Sequence, residues 1–365
     1  MDKEYISPQQ CILLLAGFGI GTTLLFVPSI LVQFANQSAI LSPVLGTVPG
    51  IALLLILSSL NRLYPGQSLV QYSASILGLP GKIIGLLFIW FAFHLGVLVL
   101  RNIGGFVGLV MLAETPTSVV YCVVVALTAF ALLLGLETVS RTLGLLLSLA
   151  IFLSVVLMFF TLPHADFSNL LPILENGWTP IVKASVYLTS FPSGEFILIG
   201  MLIFNMKGSK ETAIPLIQGQ LIATMIAIAI ILQVITILGA ERASRSALAI
   251  VSVLNSISSS NLLLIPFAMT WLIFAFAKFF ICYYAFVAGF AHWAKMDDYR
   301  PLVLPGGALL ISIAMILYKD IGQNQEFLKI YWPPYSLPIE YGIPLLLWLA
   351  AGVKMLVQRR RSDQG

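Results

Sequence analysis

Charged residues are scarce in this sequence. Only 9% of its 365 positions carry Asp, Glu, Lys or Arg, against 59% hydrophobic. A water-soluble chain has about 25% charged residues, so a soluble enzyme or binding domain is excluded and a polytopic membrane protein is indicated. The net charge of +4 is too small to point to nucleic acid. Cysteine is nearly missing: Cys11, Cys122 and Cys282 are odd in number, far apart and set in apolar runs, which argues against a disulfide framework or a zinc site. The three histidines, His94, His164 and His292, are scattered. No paired carboxylates, nucleophile–base arrangement or cofactor motif accompanies them, so the sequence offers no enzyme chemistry. Long polar linkers are missing too, and residues 1–365 read as one transmembrane domain.

What the chain does have is apolar runs of about 20 residues, the length a helix needs to cross about 30 Å of hydrocarbon. They fall near 8–33, 40–60, 83–110, 117–136, 142–162, 180–205, 213–238, 263–291, 301–318 and 337–357, which makes about ten spans. The first run reads as a retained transmembrane helix, since it is too long for a signal-peptide core. Two connections, 61–80 and 242–262, are too polar to cross and apolar enough to lie at an interface or re-enter. Lys3, Arg62, Lys82, Arg141, Lys207, Lys210, Lys295, Arg300, Lys354 and Arg359 to Arg361 fall on the side of the N-terminus. The opposite side holds Lys183, Arg242, Arg245, Lys319 and Lys329. Basic residues collect on the cytoplasmic side, so both termini are expected there.

Two spans are interrupted. Span one contains "AGFGIGTTLLFVPS", with Gly17, Gly19 and Gly21 near its middle, and span six contains "TSFPSGEF", residues 189–196. Glycine and proline both weaken a helix, and unwound backbone survives in a bilayer only when buried in protein or lining a wet cavity. Four whole spans separate the breaks. This is the pattern of a five-plus-five inverted repeat, with repeat one near 8–162, repeat two near 180–318 and a final helix near 337–357; such folds bind ligand at the midplane between the breaks. Backbone N–H groups around Gly19 to Thr22 favour an anion, and carbonyls around Leu188 to Ser190 favour a cation. Together they suit a zwitterion such as a free amino acid.

Ionisable residues inside spans are expensive and face the bundle interior. Four are placed there: His94, Arg101, Glu195 and Lys278. Glu195 is open between a ligand contact, a gate, a proton carrier and an acid that only caps the broken helix. Lys278 is open between a substitute for a sodium ion, a partner of Glu195, a proton exchanger and a structural ion pair. Arg101 lies near the outer end of span three, where it can snorkel, and His94 reads as a core histidine. Phe191 is placed to lid the cavity, and Phe280, Tyr283 and Tyr284 to wall it.

The glycine-rich break closed by Pro28, the loop "DFSNLLPILENGWTPIVKAS" at 166–185, the acid-bearing break "FPSGE" at 191–195 and the basic tail "KMLVQRRRS" resemble the spore germination permease family. These are the B-subunits of germinant receptors, within the amino acid–polyamine–organocation superfamily. The loop is the most specific of the four. The resemblance implies a LeuT-like fold, residence in the spore inner membrane, and the sensing of a small nutrient, often an amino acid, together with A- and C-type partner subunits. Carried over by position, Gly17, Gly19, Gly21 and Thr22 of the first break and Ser190, Phe191, Ser193, Gly194 and Glu195 of the second form the site. Ile20 and Tyr283 complete the expected ligand-binding set, and Glu195 with Lys278 the expected charge coupling. Lys278 matches no motif of the family. An ordinary proton- or sodium-coupled amino acid permease is the alternative; the two differ in whether the ligand crosses.

Overall fold

The computed structural model describes residues 5–206, 212–257, 262–318 and 321–362. Lys3, Lys207, Lys210, Lys319 and residues 258–261 of the second polar connection lie outside them. In hydrocarbon, backbone N–H and C=O groups must bond within their own segment, so apolar runs become helices. The described residues are helical almost throughout, with one isolated backbone bridge between Ile6 and Met206.

Span one is two pieces, α1 (Pro8–Ile20) and α2 (Thr23–Ala35). Next come α3 (Ser42–Leu63), the short α4 (Leu69–Leu77), α5 (Leu79–Phe106), α6 (Thr117–Leu134) and α7 (Leu136–Thr161). Span six opens with α8 (Thr179–Leu188), loses α geometry over Thr189–Ser193 and continues as a tight helix over Gly194–Met201. It is followed by α9 (Ala213–Arg245), α10 (Ala249–Ile257), α11 (Leu264–Ala294) and α12 (Val303–Ile316). The last span is α13 (Ile321–Glu326), α14 (Trp332–Leu337) and α15 (Ile343–Ser362), joined by wide turns at Phe327–Tyr331 and Pro338–Gly342. The described residues thus form ten crossing elements, with spans one and six interrupted near their middles. The polar connections 61–80 and 242–262 hold the short helices α4 and α10.

The last span corrects the sequence expectation. It starts at Ile321 instead of near 337. Glu326, Lys329, Pro333 and Pro334 interrupt the hydropathy there and read as a connection. In the structure both prolines occupy the first turn of α14, where their missing N–H has no partner to lose.

Span one begins at a capping box: the Gln10 amide donates to Ser7 Oγ at 3.2 Å, and the Ser7 amide donates to Gln10 Oε1 at 2.8 Å. Just before it, the Ile6 amide donates to Asn205 O at 2.9 Å. The start of one broken span is therefore tied to the end of the other. At the centre stands α11, packed against α1, α5 and α7. From Phe274 to Ala285 all its residues except Phe276 are buried, and Lys278 lies near its middle.

Candidate ligand site at the two breaks

The first break falls at Gly21–Thr22. The Gly21 amide still donates to Gly17 O, closing α1, and α2 begins at Thr23. A glycine is required here by close approach: a Cβ on Gly21 would stand 3.0 Å from both Cβ and Cδ of Lys278 and 3.2 Å from Phe274 O. Gly21 thus makes room for the lysine stem. The other two glycines serve packing. A Cβ on Gly19 would meet the Phe196 ring and Ala223 at 2.9 Å, and one on Gly17 would meet Leu147 at 2.5 Å. Ile20 is buried beside them.

The second break centres on Phe191, whose backbone is extended (φ −150°, ψ 107°). That is where proline chemistry puts it: the residue before a proline is pushed out of the α region, and Pro192 has no N–H for the helix ladder. The broken turn leaves carbonyls without helical partners. The sequence reading offers them to a cation, and two of them already have side-chain donors. Trp332 Nε1 donates to Ser190 O at 3.1 Å, and the Tyr341 hydroxyl donates to Thr189 O at 3.0 Å. The last span caps the outer half of span six. Ser190 Oγ turns back to Tyr187 O at 2.8 Å.

Between the breaks sits one ammonium. Lys278 Nζ contacts Glu195 Oε2 at 2.5 Å and donates to Thr22 Oγ1 at 3.0 Å. Its charge also faces the rings of Phe191 at 4.7 Å and Phe18 at 5.0 Å, a favourable cation–π arrangement. Lys278 and Glu195 are both fully buried. Pairing with Glu195, one of the roles the sequence leaves open for Lys278, is therefore present. The free space beside the breaks, lined by Gly19, Thr23, Pro192, Ser193 and Gln220 among others, is about 20 Å3, room for about one water.

Sequence reasoning missed one residue of this cluster. Glu340, in the wide turn Pro338–Gly342 of the last span, is fully buried and accepts from Ser336 Oγ at 3.0 Å. It lies on the second break itself: a Cβ on Gly194 would fall 2.1 Å from Glu340 Oε2. Neither Glu195 Oε1 nor Glu340 Oε1 has a hydrogen-bond partner among the described residues. Two buried carboxylates thus face one ammonium. An unneutralised buried charge costs several kcal/mol, so the cluster has capacity for one more positive charge, a proton or a bound cation.

Other expected residues lie elsewhere. Tyr283 is not at the breaks: its hydroxyl donates to Val303 O, and it packs against Gly306 and Gly307 of α12. Five residues on an α-helix are about 500° of rotation, or 140° apart, so Tyr283 and Lys278 cannot share a face. Arg101 does not snorkel. It turns to carbonyls at the end of α12, donating to Ala314 O at 3.1 Å and to Tyr318 O. His94 is a core residue, its Nδ1 3.2 Å from the Tyr335 hydroxyl among the rings of Trp90, Phe327 and Trp332.

The cap on span six carries a direct prediction. Trp332→Phe keeps a ring in place but strands the buried Ser190 carbonyl, so it is expected to cost about 1–3 kcal/mol of stability. Thermal unfolding of the purified protein measures it; a loss no larger than that of Trp348→Phe, an exposed indole, refutes the capping role.

Comparison with solved structures places this arrangement. The chain matches MhsT in complex with L-phenylalanine at a TM-score of 0.70, with 13% identity over 96% of this chain and all of that one. It matches Mhp1, a nucleobase-cation-symport-1 family transporter in a closed conformation, at 0.68, with 13% identity over 98% and 80%. At such low identity the likeness concerns the fold, and it establishes the LeuT-like architecture expected from the two breaks. Among sequences, spore germination protein KB of Bacillus subtilis (strain 168) is 24% identical over all of this chain and 99% of its own. Spore germination protein YndE of the same organism is 24% identical over 88% and 89%. The family described as "Spore germination protein" matches residues 5–323, and the chain therefore belongs to the spore germination permease family.

Proposed function

We propose that this chain is the nutrient-binding subunit of a spore germinant receptor. A small nutrient with an ammonium group, an amino acid above all, binds at the midplane between the breaks. The observation that carries this reading is the charge count there: two buried carboxylates, Glu195 and Glu340, against the single ammonium of Lys278. The bound ammonium supplies the missing positive charge and competes with Lys278 for Glu195. With about 20 Å3 at the breaks, binding requires span six or the last span to shift, and a ligand that prefers the shifted conformer moves the population toward it. A- and C-type partner subunits read that shift. On this reading the protein sits in the spore inner membrane with both termini in the cytoplasm, has no catalytic role, and uses Lys278 where a sodium-dependent relative would hold an ion.

A thermal-shift screen of the free amino acids tests it. A ligand that binds only the folded state adds about 2.7 kcal/mol at a hundredfold excess over Kd. At least one amino acid is expected to stabilise the native chain, and the gain to shrink in Glu195→Gln and Gly19→Leu. Equal stabilisation of all three proteins overturns the midplane site. The likeness to transporters supports a second reading, a proton- or sodium-coupled amino acid permease. Flux of labelled amino acid into liposomes containing this chain alone decides for that reading.

A further inference from the structure

The largest cavity among those described is not at the breaks. It measures about 190 Å3 and lies next to the first turn of α2. Its polar wall is made by Arg101 and Asn102 of α5, Thr117 and Tyr121 of α6, and Asn324 of α13; Leu25 and Phe26 of α2 supply apolar wall. Drug-sized pockets run from about 300 Å3 upward, so this one suits something smaller, of amino-acid dimensions.

Its charge is one-sided. Among the described residues Arg101 is the only charged one on its wall, and it has no carboxylate partner among them. The guanidinium is held in place by Ala314 O and Tyr318 O. Those are carbonyls at a helix C-terminal end, which lack helical partners and favour a cation. Arginine has five N–H donors in a rigid fork. Two terminal nitrogens each spend a donor on the carbonyls, and the donors left over suit a planar anion such as a carboxylate.

A second group asks for the opposite partner. Asn324 Nδ2 donates to Asn102 Oδ1 at 2.7 Å, which fixes the amide and leaves Asn324 Oδ1 without a partner among the described residues. Asn324 is only 4% exposed, and a buried acceptor left unpaired costs about 1–3 kcal/mol. A ligand N–H would satisfy it. One fixed cation and one unsatisfied acceptor on one small cavity complement a molecule with a carboxylate at one end and an amino group at the other.

We propose that this cavity is a second ligand site, which takes a small zwitterion through Arg101 and Asn324 before or alongside the site at the breaks. It does not rest on the midplane reading, because none of its wall residues belongs to the Lys278–Glu195–Glu340 cluster.

The test is calorimetric titration of the full chain in detergent with free amino acids, acetate and methylammonium as probes. At least one amino acid is expected to bind the native protein in an event that acetate competes away and methylammonium does not. That event is expected to weaken by roughly 10- to 100-fold in Arg101→Gln, the loss of a hydrogen bond to a charged group, and to persist in Glu195→Gln. Gly105→Leu, one helical turn from Arg101, fills the cavity from its wall and keeps the arginine itself. It is expected to abolish the event, and it carries the test if Arg101→Gln misfolds. Absence of any acetate-sensitive binding to the native chain overturns the proposal. So does binding that survives both Arg101→Gln and Gly105→Leu. Binding lost only in Glu195→Gln leaves the midplane site standing and the second one refuted; binding lost only in Arg101→Gln and Gly105→Leu does the reverse.

Discussion

Lys278→Met is expected to remove about 3–5 kcal/mol of stability, because it leaves the Glu195 carboxylate buried without its ammonium. Folded proteins hold about 5–15 kcal/mol in all, so this single change threatens folding. The partner change Glu195→Gln breaks the contact but leaves the buried Glu340 facing the ammonium, so it is expected to cost less. The double variant separates electrostatics from packing. With both charges gone, neither group carries an unpaid desolvation cost, and replacing a buried pair with neutral groups is often neutral or stabilising. The double variant is therefore expected to unfold near the native protein and well above Lys278→Met. Denaturant unfolding in detergent measures all four proteins. Losses that simply add would show that the two residues act independently and that the 2.5 Å contact contributes nothing of its own.

Gly194→Ala is the second change with a large expected effect. The new methyl would arrive 2.1 Å from Glu340 Oε2 and 2.9 Å from Thr189 O. The carboxylate can swing, but the backbone carbonyl cannot, and Glu340 has no solvent to swing into. Overpacking of this kind costs about 1–3 kcal/mol. Glu340→Asp in the same chain withdraws the carboxylate by one methylene, and part of the loss is expected to return. If Glu340→Asp brings no recovery in Gly194→Ala, the last span is not what fills the second break.

The architecture was legible in the sequence because the bilayer imposes it. A span must be about 20 apolar residues long, so hydropathy marks the crossings. Gly21 and Pro192 mark the breaks because their backbone chemistry disfavours a continuous helix. The site was legible only in part. Lys278 and Glu195 stood out as charges within spans, and their partnership was one of several open options. Tyr283 was misplaced because adjacent positions on a helix are 100° apart, and one sequence does not fix the rotation of a span. Glu340 carried the same signal as Glu195, an acid in an apolar run. Its role came from elsewhere: contact between the last span and the second break is a tertiary fact with no local pattern. The capping of Ser190 O by Trp332 belongs to the same class. Nor did the sequence show that a lysine side chain takes up the room between the breaks.

The hydrogen bonds from Trp332 and Tyr341 to span six have a mechanical side. They fasten one end of a nearly continuous helical rod whose other end, at Lys354, holds Ser75 O of α4 at 2.7 Å. At 1.5 Å per residue, Trp332 and Lys354 are about 33 Å apart. A hinge at the break would give such a rod leverage: a slight tilt near Trp332 becomes a much larger sweep at the chain's C-terminal end. On the proposed reading, a shift at mid-membrane would reach the far end of the rod without any change in the shape of the helices between.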